Sequence, residues 1–263
     1  PRIVAVALTG SDAAGSKVAA KAGSLLKKTV LELGGSDPFI VLEDADVEGA
    51  AGFAARSRFQ NAGQSCIAAK RFLVVDAVAD RFEHLFEEAA GALVVGDPTD
   101  RATKMGPLAR ADLREALEDQ LAASVAQGAT LVTGGQRLDR TGYFYAPTIL
   151  SGVTPAMPAF QEETFGPLAA IVRVSDVEEA IVLANDSPYG LGGNIWSRDI
   201  ERAKALARRV ESGTVAINGM VASHPLLPFG GVKRSGYGRE LSSFGIREFT
   251  NIQAIWVAQG PAA

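Results

Sequence analysis

The chain has 263 residues, enough for one large core or two smaller ones. A hydrophobic share of 47% beside 21% charged residues is the balance of an ordinary globular protein, and a net charge of -4 gives no basic footprint for nucleic acid or an anionic membrane. One cysteine excludes an internal disulfide and suits a reducing, cytoplasmic compartment; two isolated histidines argue against a metal site, and no apolar run reaches the roughly 18 residues of a membrane span.

Residues 3–8 form a continuous apolar run, which predicts a parallel strand covered on both faces. A helix over 15–28 follows, with Val18, Ala19, Ala22, Leu25 and Leu26 at helical spacing. Short strands over 29–33 and 39–42 are punctuated by Gly34-Gly35 and Asp37-Pro38. Asp46 stands where a cap would start a helix reaching about residue 60, with Glu48 in its first turn. Strand 72–75 leads into helix 78–94, and helix 112–127 into strand 130–133. Strand 169–174 precedes helix 176–185, strand 194–196 precedes helix 200–210, and strand 214–218 closes the series. This alternation predicts an α/β fold with a mainly parallel sheet and flanking helices. Residues 251–258 alternate Ile252, Ala254 and Trp256 against Gln253, Ile255 and Val257, the pattern of a terminal strand.

The lone Cys66 lies in Phe59-Gln60-Asn61-Ala62-Gly63-Gln64-Ser65-Cys66-Ile67-Ala68. A lone cysteine is often a packed structural residue. Here Gly63, Gln64 and Ser65 are small or polar, which favours an accessible nucleophile. Upstream, Leu31-Glu32-Leu33-Gly34-Gly35 delivers a carboxylate from a strand into a glycine turn. Beside a thiol, Glu32 is a candidate general base; by itself it would read as a solvated or capping glutamate. Thr9-Gly10-Ser11 between strand and helix would offer N–H groups to a pyrophosphate or simply cap the helix, and the usual G-x-G-x-x-G fingerprint is not present.

These runs resemble the signatures of the NAD(P)-dependent aldehyde dehydrogenase superfamily. L-E-L-G-G and F-x-N-x-G-Q-x-C carry the resemblance, with L-T-G-S-x-x-x-G at 8–15, E-E-x-F-G-P at 162–167 and P-F-G-G-x-K-x-S-G at 228–236 in the same order. The closing run 223–240 looks most like bacterial succinate-semialdehyde dehydrogenases. The resemblance implies an aldehyde substrate, NAD or NADP as cofactor, and a dimer or tetramer of identical chains.

It further implies that Cys66 adds to the aldehyde, that a thiohemiacetal loses hydride to leave a thioester, and that Glu32 activates the water that hydrolyses it. Gly10 and Ser11 become cofactor contacts, Glu163 the partner of the nicotinamide ribose, and Phe165 the aromatic near that ring. Leu33 and Gly34 would lie against the nicotinamide. Phe229 would line the substrate tunnel, and Ser223 would hold a substrate carboxylate. Glu240 matches a buried proton-relay carboxylate, with an ion pair to arginine as the equal alternative. One departure is Gln60, where several succinate-semialdehyde enzymes carry an arginine able to grip a carboxylate.

The apolar run is entered directly after Pro1-Arg2, with no Met, cap or targeting peptide. With the resemblance, this leads us to expect the C-terminal half of a longer enzyme. Residues 1–31 would end a cofactor-binding domain, 32–244 form the catalytic domain, and 245–263 form an oligomerisation tail. Two other readings compete: a cofactor-independent cysteine esterase or hydrolase, and a non-catalytic remnant that only assembles with other subunits.

Overall fold

The computed structural model describes residues 2–258 and 260. The first sheet begins with β1 (Ala5–Thr9), which runs parallel to β2 (Lys28–Glu32); α1 (Asp12–Gly23) connects them. Ser11 caps α1 by accepting the Ala14 N–H at 3.2 Å.

A larger sheet then starts with β3 (Pro38–Val41), followed by α2 (Val47–Phe59), β4 (Arg71–Val75) and α3 (Asp76–Gly91). Next come α4 (Ala111–Ala126), β5 (Thr130–Thr133), β6 (Thr148–Ser151), the short α5 (Pro158–Gln161), β7 (Leu168–Val174) and α6 (Val177–Asn185). The two-residue β8 (Tyr189–Gly190) precedes β9 (Gly192–Trp196), α7 (Ile200–Ala207) and β10 (Thr214–Ile217). The strand order is β10-β9-β3-β4-β7-β6-β5, parallel throughout except for β5 against β6.

Three short elements complete the chain. β11 (Val232–Lys233) pairs with β8, and β12 (Gly236–Tyr237) joins the first sheet antiparallel to β2. α8 (Ser242–Glu248) follows.

The large sheet is apolar on both faces because its strands alternate between two cores. Phe39, Val41, Phe72, Val74 and Ile171 face α2 and α3, meeting Ala50, Ala54, Phe82 and Phe86. Ile40, Leu42, Leu73, Val75 and Val172 face the other way, onto Leu117, Phe160, Ala180 and Leu206. Burial on both sides is what near-continuous apolar strands of a parallel sheet require.

Three expectations need correcting. The run 3–8 is not covered on both faces: Ile3 is 67% and Val4 74% exposed, and β1 is an edge strand of its small sheet. The first helix begins and ends earlier than its spacing indicated, so Leu25 and Leu26 lie beyond it, with Leu26 almost wholly exposed. Residues 251–258 form no strand, because a strand needs a hydrogen-bonded neighbour and none of the described residues supplies one. The rest of the tail, apart from Gly260, lies outside the described residues.

Candidate active site

The amino ends of β3, β4 and β7 lie side by side, with Pro38 beside Arg71 and Arg71 beside Ala170. The loops entering those strands carry Gly34-Gly35, Cys66 and Glu163. Glu32 and Gly10-Ser11 stand at the carboxyl ends of β2 and β1, and the Gly10 N–H donates to the Glu32 carbonyl at 3.0 Å. The site therefore joins the carboxyl ends of the small sheet to the amino ends of the large one. Ligands of open α/β sheets ordinarily gather at carboxyl ends, and here only the small sheet follows that rule.

The cysteine loop is set by a sharp exit from α2. Asn61 and Ala62 take left-handed backbone angles, φ 50° and 54°, and the turn is cross-tied by Asn61 and Gln64, each side chain donating to the other's carbonyl. Arg58, with no exposed surface, donates to the carbonyls of Gly63, Ala69, Thr164 and Gly166. One guanidinium thus fastens the cysteine loop to the loop carrying Glu163. Lys70, equally buried, donates to the carbonyls of Ser65, Cys66 and Ala68 at 3.3, 3.2 and 3.0 Å. Arg71 binds the carbonyls of Ser36, Leu183 and Ala184. Burial lowers all three cations: Arg58 to about 9, Lys70 to about 8 and Arg71 to about 10. Asp37, which accepts the Gly192 N–H at 2.9 Å, is raised by burial to about 6.

Gly34-Gly35 allows the remaining loops to close. The Gly35 N–H donates to Glu163 Oε1 at 2.9 Å, and a Cβ at Gly35 would collide with the Cys66 carbonyl oxygen. A Cβ at Gly34 would stand 2.6 Å from Glu163 Oε2. From behind, the Ser235 hydroxyl donates to the Gly34 carbonyl at 2.6 Å across 201 positions of chain. The Gly34-Gly35 turn therefore stands between the Cys66 carbonyl and Glu163.

Burial pushes the Cys66 thiol above its ordinary value; Lys70 and the Ile67 N–H pull it down, while Asp37 and Glu163 push it up. Glu32 is 2% exposed, and neither of its carboxylate oxygens has a partner among the described residues. Burial raises it to about 8, with Glu240 adding to the rise and Arg239 opposing it. The Glu32 carboxylate packs against Gly230, where a Cβ would come within 2.8 Å of Oε1. Glu240 stands close by because its backbone N–H and carbonyl both bond to Phe229, at 2.7 and 2.8 Å. Phe229 is thereby fixed beside the Glu32–Glu240 pair. Arg239, whose guanidinium donates to the carbonyls of Gly231 and Gly238, makes no ion pair with Glu240.

Leu33 is buried against Gly15, and Phe165 is partly buried. Ser223 sits in an exposed loop, bonded to nothing among the described residues. Gln60 turns its Nε2 into a buried position without an acceptor, in a groove shared with Arg56, Leu93 and Lys104. Arg58, Lys70, Arg71, Asp37 and Ser235 were not picked out by the sequence reading. For Arg58 a signal existed: it continues the helical spacing of the buried Ala50, Ala51, Ala54 and Ala55.

The family model described as the aldehyde dehydrogenase family matches residues 1–255. The chain belongs to the aldehyde dehydrogenase family. It is 52% identical over 255 residues to the Escherichia coli K12 succinate semialdehyde dehydrogenase Sad, covering 97% of this chain and 55% of that protein. It is 50% identical to an NADP(+) succinate-semialdehyde dehydrogenase of Mycobacterium bovis BCG, over 98% of this chain and 56% of that one. The crystal structure of succinic semialdehyde dehydrogenase from Streptococcus pyogenes, with NADP+, superposes with a TM-score of 0.95 at 46% identity, covering 98% and 57% of the two chains. The chain thus spans about half the length of the curated relatives it matches.

Proposed function

We propose that the protein containing this chain oxidises an aldehyde to its acid, with a short semialdehyde bearing a carboxylate, such as succinate semialdehyde, as substrate and NAD or NADP as cofactor. The observation that carries the reading is the closure at Gly35, whose N–H holds Glu163 while its bare Cα admits the Cys66 carbonyl. Similarity to the succinate semialdehyde dehydrogenases supports the substrate.

The residues present fit the nicotinamide end of the cofactor. Glu163 Oε2 makes no hydrogen bond among the described residues, so it is free to accept from a ribose hydroxyl. Gly34 leaves space beside it, with Leu33 and Phe165 supplying apolar and aromatic surface. At α1, Gly10 and Ser11 would meet the phosphates, and Arg234 offsets the Asp12 carboxylate at 2.8 Å. When bound, the oxidised nicotinamide supplies the hydride acceptor.

Cys66 supplies the sulfur that adds to the carbonyl carbon, giving a tetrahedral oxyanion. The Cys66 N–H, which donates to no acceptor among the described residues, is available to that oxyanion. Oxidation leaves a thioester on Cys66, and Glu32 then takes a proton from the attacking water. Its raised value near 8 places the base close to working pH, and Glu240 beside it can pass the proton outward. Ser223 would bind the substrate carboxylate in the assembled enzyme. We place the reaction in a reducing cytoplasm, as a free thiol requires, and in a homo-oligomer, and we divide the chain at 1–31, 32–244 and 245–263 as above.

The esterase reading lacks its usual base. His84 is exposed on α3 and pairs with Glu88, and His224 accepts the Leu226 N–H in an exposed loop. The deciding experiment incubates the whole protein with succinate semialdehyde and cofactor, then maps the acyl adduct by mass spectrometry. An adduct on Cys66 that needs NAD(P) is expected. Full turnover by Cys66→Ser, or aldehyde-independent ester turnover unaffected by cofactor as the only activity, would refute it.

A further inference from the structure

We infer that Tyr189 is a cofactor-positioning residue: its ring stands beside Glu163 at the bare Cα of Gly34, and its hydroxyl donates a hydrogen bond to the nicotinamide ribose. The inference rests on the proposed placement of the cofactor at Glu163 and deepens it.

Gly34 is where two side chains from distant parts of the chain meet. A Cβ there would lie 2.6 Å from Glu163 Oε2 and 3.0 Å from Tyr189 Cε1, so the carboxylate and the ring edge border the same point. The hydroxyl is carried by the ring carbon next to Cε1. Tyr189 is half-buried, and its hydroxyl makes no hydrogen bond among the described residues.

Backbone contacts hold the ring at this turn. Tyr189 pairs with Lys233 across β8 and β11. Its N–H donates to the Ser187 hydroxyl at 3.2 Å, and the Pro188 carbonyl accepts the Arg234 N–H at 2.9 Å. The Ser235 hydroxyl, which donates to the Gly34 carbonyl, also accepts the Gly190 N–H at 3.0 Å. One buried hydroxyl thus ties the strand bearing Tyr189 to the glycine beside its ring, and the phenol is in place before a ligand arrives.

The chemistry of the pair suits a diol. Each ribose hydroxyl both donates and accepts, whereas a carboxylate only accepts. Glu163 Oε1 is taken by the Gly35 N–H, which leaves Oε2 for one hydroxyl proton. The diol oxygens then need a donor. Burial raises the Tyr189 phenol above its ordinary value; Glu163, Asp12 and Glu162 add to the rise and Arg234 opposes it, so the phenol keeps its proton. Carboxylate and phenol are therefore complementary, one taking a ribose proton and the other giving one to a ribose oxygen.

The test measures cofactor affinity by calorimetry on the whole protein, without aldehyde, so it does not depend on Cys66 chemistry. The probes are NAD+ or NADP+, whichever binds tighter, and its analogue lacking both hydroxyls of the nicotinamide ribose. Tyr189→Phe keeps the ring and removes the donor. It should weaken binding of the natural cofactor about tenfold and change that of the analogue less than about twofold. Equal weakening of both, or no weakening for the natural cofactor, overturns the inference. Glu163→Gln, measured alongside, reports on the placement itself. A loss there with Tyr189→Phe unchanged removes the role of Tyr189 alone; no loss there overturns placement and inference together. Should Tyr189→Phe not fold, 13Cζ NMR of Tyr189 in the unsubstituted protein decides. The resonance must move with the natural cofactor and far less with the analogue, and equal movement overturns the inference.

Discussion

Glu163 and Gly35 are joined by a 2.9 Å hydrogen bond from the glycine N–H to Oε1, and the same glycine gives way to the carbonyl of Cys66. Two size requirements meet at neighbouring positions with different consequences. At Gly35 the obstruction is backbone, which cannot swing aside; at Gly34 it is the end of the Glu163 side chain, which can. Gly35→Ala should cost about 1–3 kcal/mol of stability and slow Cys66 alkylation. Gly34→Ala should displace Glu163 with a smaller stability loss. Urea denaturation of the two variants checks the order, and equal losses would contradict it.

Glu32→Gln tests a carboxyl held neutral by burial. Because the folded value is raised to about 8 from 4.5, the folded state keeps a proton that the unfolded chain has released. Its contribution to stability is full below about pH 4.5 and is lost as pH rises to about 8, on the order of a few kcal/mol. Glu32→Gln should therefore flatten the pH dependence of unfolding across that window. In the whole enzyme, thioester hydrolysis should rise through about pH 8 and drop about a hundredfold or more in the variant. Parallel unfolding curves for both proteins from pH 5 to 9 would show that Glu32 is not buried as described.

Arg58→Met should unfold the chain at markedly lower urea concentration, a loss of about 3–5 kcal/mol. Four carbonyls from two loops would lose their shared donor. Arg58→Lys should recover only part of this, since an ammonium lacks the planar fork. Two variants with unchanged midpoints would show that the loops are held by other contacts.

The tail should drive self-association. Ile252, Ile255, Trp256 and Val257 are each 80–86% exposed, close in sequence to Phe244, Ile246 and Phe249, which are also exposed. Removing the residues after Phe249 should lower the apparent mass in light scattering at a given concentration. A clean monomer with the tail present would contradict this.

Much of the fold was legible where neighbours in sequence decide it. The apolar run Phe72 to Val75 reads as a strand because both faces are buried, and Thr130–Thr133 was predicted at its observed bounds. The short strands β8, β11 and β12 were not legible, since two residues carry no periodicity and only a distant partner defines them. Cys66 and Glu32 stood out by chemistry and motif. Lys70 and Arg71 did not, because a charged pair beside a strand ordinarily means solvent, and their partners are carbonyls set in place only by folding. The tail shows the same limit: its alternation marks a strand-forming sequence, while a strand also needs an edge to join.

The bond from Ser235 to Gly34 spans 201 positions, and β12 reaches β2 over a similar distance. On the ribosome, the strand bearing Glu32 emerges long before its second neighbour. The glycine turn beside the thiol is thus braced only after Ser235 has been made. Pairings so distant in sequence slow folding, because a long loop must close before the contact stabilises anything. The cysteine loop, by contrast, is fastened by Lys70 within a few residues of Cys66. The nucleophile can be shaped soon after it is synthesised, while the pocket around it waits for Ser235 and β12.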